Sequence, residues 1–334
     1  MKLEIDSQSV IPKYLQIVDG VISLLNDGKL RRGDQMPSIN TLSSTLGVGR
    51  VTVVNAYNEL KNLEVLDASH GRGFFIRKNG NNVKKKVFLL FDVMNGYKEV
   101  LYRSFKKALG RNYTVDIFFY YYNYREFCRL IQDNLKNYNY YVILPHFNFD
   151  VSEPLCKIPQ EKLIIMDKDV EKLNEGYAAV FQNFHKDTYE GLVSIVDQIR
   201  KYKKFILILK DEFQFIPTGI LTGFISFCND HSIECIIKEN LEYDDVITGQ
   251  IYFAVSDSDL ITIIRKVKDN KYKLGKDLGV VSRNDTPMKS VLANGITVST
   301  TDFEHMGTTA AKMIKKRRFA KIENPSMLIL RNSV

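Results

Sequence analysis

The chain has 334 residues, with 47 Lys and Arg against 39 Asp and Glu for a net charge of +8, and 45% of it is hydrophobic. That length exceeds one typical domain and can bury a large core, and the composition is that of a globular rather than a disordered protein. The basic balance favours an anionic partner, while the lack of a signal h-region or long apolar run argues against export and membrane spanning, so a cytoplasmic protein is expected. Cys128, Cys156, Cys228 and Cys235 are scattered, with no Cys-x-x-Cys pair and no histidines at ligand spacing. Reduced thiols are therefore expected, with no metal and no cofactor.

Residues 11–27 read as a first helix, with Tyr14, Ile17, Val18, Val21, Ile22 and Leu25 forming one apolar stripe before Gly28 ends it. Gly33-Asp34 marks a tight turn. Pro37-Ser38 then opens a short helix, Ser38 capping its first turn, with Ile39, Leu42 and Leu46 on one face and Gly47 as the stop. A second helix spans 49–62, turning Val53, Ala56, Tyr57 and Leu60 inward. Its outward face carries Arg50, Val51, Thr52, Asn55 and Asn58. Arginine pairs bidentately with guanine, asparagine with adenine, and a valine methyl meets the thymine methyl, while Thr52 suits a phosphate oxygen. Residues 65–67 and 73–76 read as two strands of a wing whose tip, His70-Gly71-Arg72, can enter a minor groove or grip phosphate. The plainer alternative is an αα-hairpin with a solvated face, against which the wing counts.

This segment resembles the GntR family of bacterial transcription regulators. Pro12, Tyr14, Ile17, Gly28, Leu30, Gly33, Asp34, Pro37-Ser38, Leu42, Leu46-Gly47-Val48, Arg50, Thr52-Val53, Ala56-Tyr57, Leu60 and Gly71-Arg72-Gly73 stand where that pattern wants them. Three positions depart from it: Ile39-Asn40 replaces the family's Glu-Arg, and Val54 a second recognition-helix arginine. The resemblance implies a DNA-binding head over residues 1–76 contacting a double-stranded operator through Ser38, Arg50, Val51, Thr52, Asn55, His70, Gly71 and Arg72.

Residues 77–86, RKNGNNVKKK, hold five positive charges and no acid, and read as an exposed linker, either solvated or lying along phosphates. From Val87 short apolar runs alternate with amphipathic helices. Strands are expected at 87–91, 114–121, 141–144, 163–166, 205–209, 234–237, 251–255, 278–281 and 295–298. Helices fit at 97–109, 125–137, 186–201, 217–231, 258–270 and 303–318. The rhythm predicts parallel sheets covered by helices, and the strand number suits two lobes with a cleft. The fold class is thus α/β: an N-terminal winged helix-turn-helix followed by a two-lobed domain with parallel sheets over 87–334.

This larger part resembles the sugar-binding core of lac-repressor-like regulators, which share the type I periplasmic binding protein fold. Ala254-Val255-Ser256-Asp257, the run Gly279 to Asp285, and Ile296 to Phe303 followed by Gly307 and Ala310-Ala311 carry the likeness. It implies crossings between lobes near His185, Thr301 and residue 320, and ligand contacts from Asp167, Asp257, Asn284, Asp285 and Phe303. Asp92, Tyr97 and His146 are added because they follow the first and third strands. Carboxylate and amide oxygens accept bonds from hydroxyls while an aromatic face covers a sugar ring, so the set suits a neutral monosaccharide; Arg283 leaves room for a phosphorylated one. Asp285 equally suits a loop cap or hinge, and Asp257 a cap for the helix beginning at Ser258. The family's arginine after the 205–209 strand is Ile220 here. Phe118 to Tyr122 reads as strand core with a wet edge, and Lys312, Lys315, Lys316, Arg317 and Arg318 as a solvated helix end.

The expected function is a homodimeric, sequence-specific transcription regulator and repressor whose operator affinity answers to a small ligand, with no enzymatic or membrane role. A fusion to an aminotransferase-like enzyme would need a Schiff-base lysine context that is absent, as are nucleophile elbows and phosphate loops. A solute-capture protein for transport fits poorly with the winged helix.

Overall fold

Two residues set the limits of the first helix of the reading pair. Ser38 Oγ accepts the Thr41 amide at 3.1 Å, and Gly47 closes the helix in the left-handed conformation at φ 60°. In this computed structural model, which describes residues 3–9, 11–69, 71–77, 84–135, 137–173, 176–209, 215–317 and 320–334, the head comprises α1 (Lys13–Asn26), β1 (Gln35–Met36), α2 (Ile39–Leu46), α3 (Arg50–Asn62), β2 (Leu66–Ser69) and β3 (Gly73–Ile76). β3 pairs antiparallel with both β1 and β2, so the wing is a three-stranded sheet. The predicted inward faces of α1, α2 and α3 meet in one core around Ile17, Val21, Leu42, Val53, Ala56 and Leu60. Tyr57, also buried there, donates its hydroxyl to the Pro37 carbonyl at 2.6 Å and so ties α3 to the start of α2.

The remainder runs through β4 (Lys85–Phe91), α4 (Gly96–Leu109), β5 (Tyr113–Phe119), α5 (Tyr124–Asn134), β6 (Tyr140–Ile143), α6 (Ser152–Leu155), β7 (Leu163–Asp167) and β8 (Ala178–Phe181). Then come α7 (Phe184–Val193), α8 (Val196–Ile199), β9 (Lys204–Ile208), α9 (Thr218–Asp230), β10 (Cys235–Lys238), β11 (Gln250–Ala254), α10 (Asp257–Asp269), β12 (Gly279–Arg283), α11 (Pro287–Val291), β13 (Thr297–Thr301), α12 (Phe303–Lys316), β14 (Lys321–Glu323) and β15 (Ser326–Ile329). Two six-stranded sheets result, ordered β14-β8-β7-β6-β4-β5 in lobe 1 and β10-β9-β11-β12-β13-β15 in lobe 2. Every pairing is parallel except β13 with β15. Runs such as Val87–Phe91 and Leu163–Met166 are apolar without alternation because each sheet is buried on both faces. In lobe 1, α4 and α12 cover one face and α5 with α6 the other. α7 and α9 pack together on one face of lobe 2, and α10 lies on the other.

The chain crosses between lobes three times: after β8, between β13 and α12, and at Asn324-Pro325 between β14 and β15. Asn324 is buried and stitches the crossings, donating Nδ2 to Thr301 Oγ1 at 2.8 Å and to the Asp302 carbonyl at 2.9 Å.

Several expectations are corrected. The predicted helix over 186–201 is two, because Ser194 donates its hydroxyl to the Gly191 carbonyl at 2.6 Å where the first one ends. Lys85 and Lys86, expected in the linker, open β4; residues 78–83 and His70 lie outside the described residues. Arg317, expected in a solvated helix end, is buried and bonds Asp19 of the head at 2.6 Å; Arg318 lies outside the described residues. Ser256, not Asp257, caps α10 by accepting the Asp259 amide at 3.1 Å. The last crossing falls a few residues beyond the position expected near 320, because β14 stays in lobe 1.

Candidate functional site

The head's outer face is built as the sequence pattern suggests. Arg50, Val51 and Asn55 project from the front of α3 into solvent, Thr52 is half-buried beside them, and Val51 is 72% exposed, unusual for a residue held by packing alone. Ser38 stands exposed at the start of α2, with Gly71 and Arg72 exposed at the wing tip. Gly71 adopts φ 72°, a conformation that a β-carbon would strain, and the Arg72 carbonyl is held by Gln35 Nε2 at 2.8 Å.

The opposite end of α3 is buried against lobe 1. Glu59 bonds Lys162 Nζ at 2.7 Å and Asn139 Nδ2 at 2.6 Å. Asp19 of α1 accepts from Lys85 at 3.1 Å and from Arg317 at 2.6 Å, and Tyr14 donates to Glu161 at 2.8 Å. Lys85, Asn139 and Lys162 lie at or just before the starts of β4, β6 and β7.

At the other ends of those same strands the chain places Asp92, His146 and Asp167. They share a cavity of about 200 Å³ between the lobes with Tyr97, Lys98, Gln182, Asp257, Arg283, Asn284 and Lys289. In parallel sheets the C-terminal strand ends face the crevice where ligands bind. The buried His146 bridges two carboxylates, with Nδ1 2.9 Å from Asp92 and Nε2 2.9 Å from Asp167. Burial opposes the charged ring, but the two aspartates outweigh it and raise the His146 pKa above its ordinary 6.5. Burial likewise opposes ionisation of Asp92 and Asp167, yet His146, with Lys98 on Asp92 and Gln182 on Asp167, holds both below the usual carboxylate range. Phe215, from the other lobe, stacks on the imidazole at 4.8 Å and 9°. With both ring nitrogens engaged by carboxylates, the imidazole orients two acceptors at the cavity wall.

Tyr122, Asp167 and Asn284 all line the cavity at positive φ, 57°, 73° and 59°. Strained backbone held in place by its surroundings is characteristic of binding sites. Asn284 Oδ1 is buried and accepts no hydrogen bond among the described residues.

Of the residues expected around a ligand, Asp92, Tyr97, His146, Asp167, Asp257 and Asn284 converge on the cavity. Phe303 stands behind it, stacked on Tyr97 at 4.5 Å. Asp285 lies off it, clamped by both Nη atoms of Arg331 at 2.8 Å, so its carboxylate fixes the chain after β15. Asp257 is also engaged, at 2.8 Å from Lys289. Lys98, Gln182, Phe215 and Lys289 were missed. Lys98 lies inside the expected helix 97–109, where its side chain turns back to Asp92, whereas Gln182 follows β8, a strand that the sequence pattern did not predict, and the Phe215 loop carries no periodic signal.

The architecture is of one class: a winged-helix head seated on a two-lobed domain with a cavity between its lobes. Residues 13–76 match the family described as bacterial regulatory proteins, gntR family. The uncharacterized HTH-type transcriptional regulator YhcF of Bacillus subtilis is 31% identical over 91 residues, covering 27% of this chain and 75% of YhcF. The HTH-type transcriptional regulator GalR of Streptococcus thermophilus is 24% identical over 213 residues, 54% of this chain and 62% of that relative, so the chain spans about three fifths of its length. A LacI family transcriptional regulator from Lactobacillus casei, solved with bound glucose, superposes with a TM-score of 0.61 at 14% identity, covering 75% of this chain and 99% of that one, a likeness of fold alone. The chain belongs to the gntR family of bacterial regulatory proteins, and its C-terminal part has the fold of LacI-type regulators. Among the described residues no helix is long and apolar enough to cross a membrane.

Proposed function

We propose that this regulator binds a double-stranded operator through α3 and the wing as a homodimer, and that a sugar seated between the lobes controls its operator affinity. The division falls near residues 77–86, with the reader before and the effector domain after. The observation that carries this reading is the arrangement of lobe 1: its strands begin at the head and end at a cavity walled on the far side by lobe 2. A ligand that draws the lobes together repositions a head fixed to one of them, provided it favours the closed state over the open one. Glucose in the L. casei relative and the sugar-accepting character of Asp92, Asp167 and Asn284 support a monosaccharide effector. Ile236 and Ile237, exposed on the edge strand β10, offer a surface for the second copy. Two heads so paired would read half-sites roughly 10 bp apart.

The test is Arg50→Ala. It should weaken operator binding by about 1–3 kcal/mol while leaving sugar affinity unchanged, measured by fluorescence anisotropy and calorimetry. Undiminished operator binding would remove α3 from the reading face.

A further inference from the structure

Among the described residues, the cleft's charges pair off with one left over. Lys98 bonds Asp92, His146 joins Asp92 and Asp167, and Lys289 faces Asp257 at 2.8 Å. Arg283, at the end of β12 and only 4% exposed, has neutral partners: Nη1 donates to Ser299 Oγ at 3.2 Å, Nη2 to Gln182 Oε1 at 2.7 Å, and its guanidinium lies 5.6 Å from the Phe184 ring. No carboxylate lies within ion-pair distance of it among the described residues. Asp187 and Asp167 act on it only through space, the first bonded to Ser326 and the second to His146 and Gln182. Burial lowers its pKa and outweighs the opposing pull of Asp187 and Asp167, as expected for a cation removed from water without a carboxylate in direct contact.

A buried, unpaired guanidinium is costly unless a partner arrives, and its planar fork is matched by the oxygens of a phosphate or carboxylate. Next to it in sequence, Asn284 Oδ1 lacks a donor, which a hydroxyl supplies. The cavity of about 200 Å³ falls below the roughly 300–1,000 Å³ of drug-sized sites, so one ring with a short acidic substituent fits it better than an oligosaccharide. Resting on the reading of the cleft as a sugar site, we propose that the effector is an acidic monosaccharide, a sugar phosphate or sugar acid, whose anionic group seats against Arg283 while a neighbouring hydroxyl donates to Asn284. This replaces the neutral sugar that the acceptor residues suggested by themselves.

The experiment is a thermal-shift and calorimetric comparison of the full chain with six-carbon aldoses, their uronic acids and their 6-phosphates. At least one acidic form should bind about tenfold or more tightly than its neutral parent, the better of the two identifying carboxylate or phosphate. Arg283→Gln should abolish that gap and Arg283→Lys should keep part of it, the second variant guarding against a folding defect in the first. Neutral parents binding as well as their acids, or Arg283→Gln keeping the full preference, would overturn the acidic effector and leave the sugar cleft standing. If no member of the panel binds, the sugar cleft itself falls.

Discussion

The two ends of lobe 1 are both built from buried charged side chains, and they are finished differently. At the head, Glu59 meets Lys162 and Asn139, and Asp19 meets Lys85 and Arg317, around a residual space of about 10 Å³. That is room for about one water molecule, beside the buried and unbonded Arg317 Nη1. At the cleft, the same strands end on Asp92, His146 and Asp167, and among the described residues a cation has no carboxylate in contact and an amide oxygen no donor, around about 200 Å³. Closed pairing fixes two bodies to each other, and open pairing awaits a third. Between the ends run α4 and α12, packed side by side, each 14 residues and so about 21 Å long. α12 starts at Phe303, stacked on the cleft residue Tyr97, and reaches the head at Arg317.

The largest effect is expected from opening the closed end. Lys162→Met leaves Glu59 buried beside Asn139 with its counter-charge removed, which costs about 3–5 kcal/mol at such a site. The head should then unfold or exchange separately from the lobes, seen as a second thermal transition or as lost amide protection in α1 and at the start of β4. A single unchanged transition would mean that the joint does not hold the head.

Next comes the rod between the ends. Gly307 lets α12 lie against α4: a β-carbon there would stand 2.2 Å from Ser104 Oγ and 2.5 Å from the Leu101 carbonyl. Gly307→Ala should cost about 1–3 kcal/mol in melting experiments and blunt the response of operator binding to ligand, with Arg50 still free to read DNA. An alanine tolerated without loss would show that the two helices are not in tight register.

The smallest effect concerns the cleft's own stability. His146 has a raised pKa, so its charged form stabilises the folded state fully below the ordinary imidazole value near 6.5, and that contribution drains away as pH climbs through the raised value. The difference in Tm between the wild type and His146→Asn should therefore shrink as the pH is raised above the ordinary imidazole value of about 6.5. A difference that grows with pH would place a neutral ring between the aspartates.

The same contrast explains what could be read from the sequence. The head was legible because caps, glycines and a short-range periodicity specify it, as were the strands whose ends carry Asp92, His146 and Asp167. The joint was not: Glu59 and Lys162 lie 103 residues apart, and a charged residue near a helix end, such as Arg317, reads as solvated until a distant carboxylate is found beside it. Asp285 misled in the opposite sense. Its place after β12 suggests a ligand contact, but Arg331, 46 residues on, claims both its oxygens. Arg283 was visible as a cation in the motif, and only the fold reveals that no carboxylate among the described residues lies in contact with it.

The most direct measurement is operator affinity with and without effector, using a duplex selected by the protein from a random pool and whichever sugar of the panel raises Tm most. A shift of about five- to 150-fold in Kd is expected, the range in which coupled sites commonly fall. Equal affinity in the presence and absence of a sugar that demonstrably fills the cleft would contradict control of the head by the lobes.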